Sequence, residues 1–113
     1  MTNERELQDD EPCYVISIAA RMVGAHAQTL RYYERAGLVR PSRSQGRRRL
    51  YSPGDIERVR EIQRLMSDLG VNLAGVDVIF RMRERMQEME SQMRQLEREL
   101  QRLRDRRLPA PRE

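Results

Sequence analysis

Gln28, Thr29, Arg31, Tyr32 and Arg35 place amide and hydroxyl donors, an aromatic ring and two guanidinium forks in one short stretch. That set suits a helix pressed against phosphates and base edges, where guanidinium groups bridge paired acceptors. The alternative is an ordinary surface helix with two half-buried tyrosines. The stretch alone does not decide between them; its neighbours must.

To present those groups, Thr29–Leu38 has to be helical. Leu30, Tyr33 and Ala36 recur at three-residue spacing and are expected to form the buried stripe. Gly37 can adopt the left-handed conformation that ends a helix. Upstream, Cys13–Ile16 reads as a short apolar approach, a stub of strand, and Ser17 as the N-cap of a helix over Ile18–Val23. Gly24-Ala25-His26 is a tight break before the second helix begins near Ala27. Two short helices joined by a glycine-containing turn, the second with polar outward residues, match the helix-turn-helix pattern.

Downstream, Pro41 breaks any helix, Gly46 offers a turn and Leu50-Tyr51 can return as a strand. This predicts a small hairpin, a wing, with Arg43, Arg47, Arg48 and Arg49 around its tip. Like charges so dense repel unless a polyanion accepts them, which favours phosphate binding over a merely solvated loop. Ser52-Pro53 then starts another helix by cap and first-turn proline. It carries Ile56, Val59, Ile62, Met66 and Leu69 inward and ends at Gly70. A fourth helix, capped by Asn72, follows through Leu73, Val76 and Ile79.

Charge is segregated along the chain. Residues 1–13 hold one Arg and five acids, a net −4; residues 14–64 hold eleven Arg and four acids, a net +7; residues 65–113 hold ten Arg and nine acids, a net +1. The positive field therefore lies on the helix pair and wing, as a nucleic-acid footprint requires. Every basic residue is Arg. Arg suits bidentate recognition, although biased genome composition explains a total absence of Lys better. Residues 1–13 read as a disordered acidic lead, unlike a signal peptide. No apolar run approaches a membrane span, so a soluble, cytoplasmic protein is expected. Cys13 alone permits neither an intrachain disulfide nor a zinc site. There is no phosphate-cradling Gly-Lys loop, no catalytic Cys/His pair and no metal triad, which argues against an enzyme, a cofactor or a metal.

From Ile79 on, the apolar positions are Ile79, Met82, Met86, Met89, Met93, Leu96, Leu100 and Leu103, alternating three and four apart. This is a heptad seam about 37 Å long at the usual helical rise. So narrow a stripe needs a partner helix, and self-pairing is the simplest choice. Its methionines read as flexible packing rather than a metal or redox site. Leu108-Pro109-Ala110-Pro111 ends the coil. The expected divisions are thus a lead (1–13), a winged domain (14–78), a dimerisation helix (79–107) and a tail (108–113).

The run Ile16-Ser17-Ile18-Ala19-Ala20, then Gly24, Thr29-Leu30-Arg31-Tyr32-Tyr33-Glu34, Gly37-Leu38, Arg49-Leu50-Tyr51 and Asp55-Ile56 resembles the MerR family of winged helix-turn-helix regulators. The resemblance covers roughly residues 14–82. It implies a mostly α fold, a winged helix-turn-helix domain followed by a long helix that forms an antiparallel coiled coil in a homodimer. It also implies double-stranded DNA as partner, through an inverted repeat, in the bacterial nucleoid. The residues expected at DNA are Ser17, His26, Gln28, Thr29, Arg31, Tyr32, Arg35, Arg40, Arg43, Arg47, Arg48, Arg49 and Tyr51. Arg31 and Tyr32 are expected in the major groove, with Thr29, Arg43, Arg47 and Arg49 mainly on phosphates. His26, at the edge of the recognition helix, is expected to cap or touch phosphate.

Within the family, His26–Arg31 and Gly70–Val76 look most like the heat-shock repressor branch. That likeness implies repression of chaperone genes with the DnaK chaperone as co-repressor. Nitrogen-regulatory members share the Asn72-Leu73-Ala74-Gly75 stretch, so regulation of nitrogen or general stress genes stays open, as does a coiled-coil interaction module. Metal-sensing members place cysteines beside the coil and drug-sensing ones append a ligand domain; neither is expected here.

Overall fold

The computed structural model of the chain describes Glu11, residues 13–43, Gly46 and residues 48–107. The expectations for residues 1–10, for the wing residue Arg47 and for the tail 108–113 lie outside the described residues. The architecture is mostly α with one small sheet. Strand β1 (Tyr14–Val15) leads into α1 (Ile16–Val23) and α2 (Ala27–Arg35); β2 (Ser42–Arg43) and β3 (Arg49–Tyr51) form the hairpin; α3 (Pro53–Gln63) and α4 (Leu73–Arg107) follow.

The sheet has the order β1-β3-β2, with both pairings antiparallel. Tyr14 lies opposite Tyr51 and Val15 opposite Leu50, while Arg43 lies opposite Arg49. The strand stub expected before the first helix is therefore real. Its consequence for Ser17 is a correction: α1 starts straight off the strand at Ile16, with extended Val15 as N-cap and no side-chain cap bond. Ser17 is an exposed residue of the first helical turn.

α1 and α2 form the expected pair around a turn at Gly24. α2 ends as its glycine foretold: Gly37 has φ 78°, donates its N–H to the Glu34 carbonyl at 3.0 Å, and Leu38 donates to the Tyr33 carbonyl at 3.0 Å. Such a closure brings the residue after the glycine against the last inward turn. Leu38 and Tyr33 are both buried, whereas Ala36 is exposed. Leu38 thus fills the place expected of Ala36.

Ser52 and Asp55 make a reciprocal capping box, each side chain accepting from the other's backbone N–H at 3.0 Å, with Pro53 in the first turn. Ile56, Val59 and Ile62 are buried as their spacing predicts. They pack with Ala19, Ala20, Leu30, Tyr33, Leu38, Val39, Tyr51 and Val76 in the core of the first unit. Arg60 and Gln63 of α3 donate to the Met22 and Val23 carbonyls at the end of α1, at 3.4 and 2.9 Å. Those carbonyls have no partner within their own helix.

The inward stripe of α3 does not continue to Leu69. Residues Arg64–Asp68 form a π-helical turn, Met66 is half-buried, and Leu69 is 70% exposed. A π turn takes more residues per revolution, so side chains beyond it fall out of phase with the stripe. Asn72 caps α4 by accepting the Gly75 N–H at 2.8 Å.

The chain divides into two compact units after Asp77. In the second, Met82, Met86, Met89, Met93, Leu96, Leu100 and Leu103 are 50% to 63% exposed along a continuous helix. Phe80, absent from the expected stripe, is buried beneath the Arg83 guanidinium, 5.5 Å from its ring centre. No helix among the described residues is long and apolar enough to cross a membrane.

Candidate nucleic-acid interface

Helical geometry puts Gln28, Arg31, Tyr32 and Arg35 on one face of α2, since residues three and four apart are neighbours. Gln28, Tyr32 and Arg35 are exposed and Arg31 is half-buried, with an Arg31–Gln28 contact at 3.5 Å. Leu30 and Tyr33 on the opposite side anchor the helix in the core. The Tyr32 ring stands 6.3 Å from Tyr33 at 41°, half of it open to solvent. His26 is exposed at the N-cap of α2 and makes no side-chain cap bond; its carbonyl receives the Thr29 and Leu30 N–H groups. The capping role expected of it is thus filled by backbone alone. Thr29 is half-buried on the flank, and Ser17, Arg40 and Arg48 are exposed.

The wing joins this helix through a residue that the sequence reading passed over. Glu34 receives Arg43 Nη2 on Oε1 at 3.1 Å and Arg49 Nε on Oε2. Arg43 and Arg49 are directly opposed across β2 and β3, so one carboxylate relieves the repulsion that the dense charge of the hairpin would otherwise create. A polyanion is therefore not the sole acceptor of that charge, as the bare sequence suggested. The signal was present: Glu34 is the one acid between Gln28 and Pro41, set among arginines. Arg58 Nε also binds the Leu38 carbonyl, fixing the link from α2 toward the wing.

Tyr51 needs the other correction. It was expected at DNA, but it is 0% exposed and belongs to the core. Its hydroxyl has no hydrogen-bond partner among the described residues. Burial, then the charge of Glu34, push its pKa up to about 12. Tyr33 is raised in the same direction, by burial and then by Tyr32. Both phenols are thus neutral near pH 7.

A helix that bears Gln, Arg and Tyr outward, tied to a basic hairpin, is the arrangement shared by winged helix-turn-helix regulators. Residues 14–83 match the MerR HTH family regulatory protein pattern. The chain belongs to the MerR family. Among MerR relatives, a Streptomyces coelicolor protein that carries the provisional name heat shock protein HspR is 47% identical over 83% of this chain. The transcriptional regulator GlnR of Bacillus anthracis is 36% identical over 71% of the chain, and TnrA of Bacillus subtilis is 33% identical over 83%. The matches span 62% of HspR and 61% of GlnR, so this chain corresponds to about three fifths of each, against 84% of TnrA. Among solved structures, HiNmlR, a MerR family regulator lacking the sensor domain and bound to promoter DNA, shares the fold at a TM-score of 0.56. It is 22% identical, with 81% of this chain and 76% of that one covered. These MerR relatives are regulators, not enzymes.

Proposed function

We propose that this MerR-family regulator acts as a homodimeric repressor that binds an inverted-repeat operator upstream of heat-shock and chaperone genes. The observation that carries the DNA reading is the union of α2 with the wing through Glu34, which makes the outward groups of α2 and the hairpin arginines one surface. Arg31 and Tyr32 read base edges in the major groove, while Thr29, Arg43 and Arg48 meet phosphates, with Arg47 expected beside them. Gln28, Arg35, Arg40, His26 and Ser17 lie at the margins of that contact. Arg49 supports the others more than it touches the duplex, because Glu34 holds both wing arginines but Arg49 is the less exposed, 27% against 48% for Arg43.

The exposed stripe from Met82 to Leu103 supports pairing with a second copy, with Ile79 at its half-buried start. Two heads on one inverted repeat bind with the advantage of effective concentration. The heat-shock assignment rests on the identity to HspR, which exceeds that to the GlnR and TnrA proteins. In this reading the protein works in the cytoplasm on nucleoid DNA, with the chaperone DnaK as co-repressor. Unfolded clients after heat shock compete for the chaperone and lower operator occupancy by mass action. The rival mechanism is heat-driven loosening of the methionine-rich coil, which needs no second protein. Operator binding by purified protein, at growth and heat-shock temperatures, with and without DnaK and an unfolded client, separates the two. Release by temperature alone, with chaperone and client changing nothing, would remove the co-repressor from the mechanism.

A further inference from the structure

Glu34 sits where a negative charge should weaken any surface meant for DNA. It lies on α2 one turn from Arg31, its side chain is 19% exposed, and it grips Arg43 and Arg49 from the two wing strands. Arg49 is 27% exposed and Arg43 48%, so the trio is neither deeply buried nor fully solvated. Its net charge is one positive unit rather than two. We infer that Glu34 is a specificity-determining positioning residue: it holds the wing in register with the recognition helix and withholds one positive charge from the phosphates of every duplex.

Phosphate contacts add affinity to any sequence alike, whereas base contacts discriminate. A carboxylate that cancels one wing charge therefore costs random duplex as much as operator. The same carboxylate fixes the distance between helix and hairpin, which only the correct sequence can exploit in full. The uniform loss lowers binding to every duplex and leaves the ratio of operator to random binding unchanged, while the kept register raises that ratio. Tyr51, buried and neutral under this cluster, supplies no charge that could substitute for the carboxylate.

The inference rests on the DNA reading above, and the test separates the two. The full chain is measured against two duplexes of equal length, one selected from a random pool by the wild-type protein and one of scrambled sequence, across a salt series. Wild-type protein that binds neither duplex overturns the DNA reading and this inference with it. If wild type binds, Glu34→Gln and Glu34→Ala should bind scrambled duplex more tightly, with a log–log salt slope steeper by about one unit. The ratio of selected to scrambled binding should fall several-fold. Glu34→Asp, which keeps the charge, should keep the wild-type slope. A glutamate that merely braced the fold would instead weaken both duplexes and leave the slope unchanged or shallower, and that result overturns the inference. Loss of the folded circular-dichroism signal in both neutral variants overturns it too, since the carboxylate would then be a requirement of folding.

Discussion

The hydroxyl of Tyr51 is enclosed where no described residue bonds to it. A buried hydroxyl without a partner forfeits its water contacts and gains nothing in exchange. Tyr51→Phe is therefore expected to stabilise the chain by about 1 kcal/mol in urea unfolding near neutral pH. A clear loss of stability would mean that the hydroxyl has a partner. The same residue sets an alkaline limit. Its folded pKa is raised from 10.0 to about 12, so its share of stability is intact below pH 10 and drains away as pH climbs toward about 12. The Phe variant should show a shallower alkaline decline, with the remainder owed to Tyr33, which burial also raises. The placement of Tyr51 shows where a sequence stops being legible. An Arg-Leu-Tyr strand beside a basic turn suggests an outward phenol, but strand alternation together with pairing to β1 seals it inside. That pairing is long-range information which no local pattern carries.

At the scale of elements, punctuation was more legible than phase. The turn at Gly24, the glycine stop at Gly37, the Ser52-Pro53 start and the Asn72 cap all follow from the local chemistry of single residues. Leu69 did not follow, because its inward phase assumed an unbroken α-helix and the π turn at Arg64–Asp68 breaks it. Glu34 went unread for a related reason: an acid on a helix surface looks like solvated charge until the hairpin folds against it. The start of α4 offers a test. Glycine inside a helix ordinarily yields to alanine with a gain of about 0.5–1 kcal/mol. At Gly75, however, an added Cβ would lie 2.7 Å from Val71 Cγ1 and 3.3 Å from the Asn72 Oδ1 that caps the helix. The β-branched Val71 has little rotamer freedom to retreat. Gly75→Ala is expected to lower stability by about 1 kcal/mol through loss of the cap. A raised melting temperature at fixed chain concentration would show that the loop yields without cost.

For the molecule as a whole, the apolar stripe of the long helix is legible as spacing alone, since an alternation of three and four needs no long-range contact to be seen. In the 35-residue helix, Val76 and Phe80 are buried, but the apolar positions from Met82 to Leu103 are open in the single chain. Met93 lies in the middle of the stripe. Met93→Glu is expected to leave the winged unit folded, since its core is built from residues before Asp77, yet to abolish self-association and lower operator affinity by more than tenfold through lost effective concentration. Sedimentation that still finds a dimer would place the interface elsewhere. The open stripe also bears on how the cell counts this protein. If only paired copies occupy the operator, then well below the pairing constant occupancy grows as the square of copy number. A twofold rise in synthesis then becomes about a fourfold rise in bound regulator. Quantitative footprinting against chain concentration should show a limiting log–log slope of two for the natural chain and one for Met93→Glu. Protein abundance would then be a regulatory input in its own right, with its steepness written into a row of methionines and leucines.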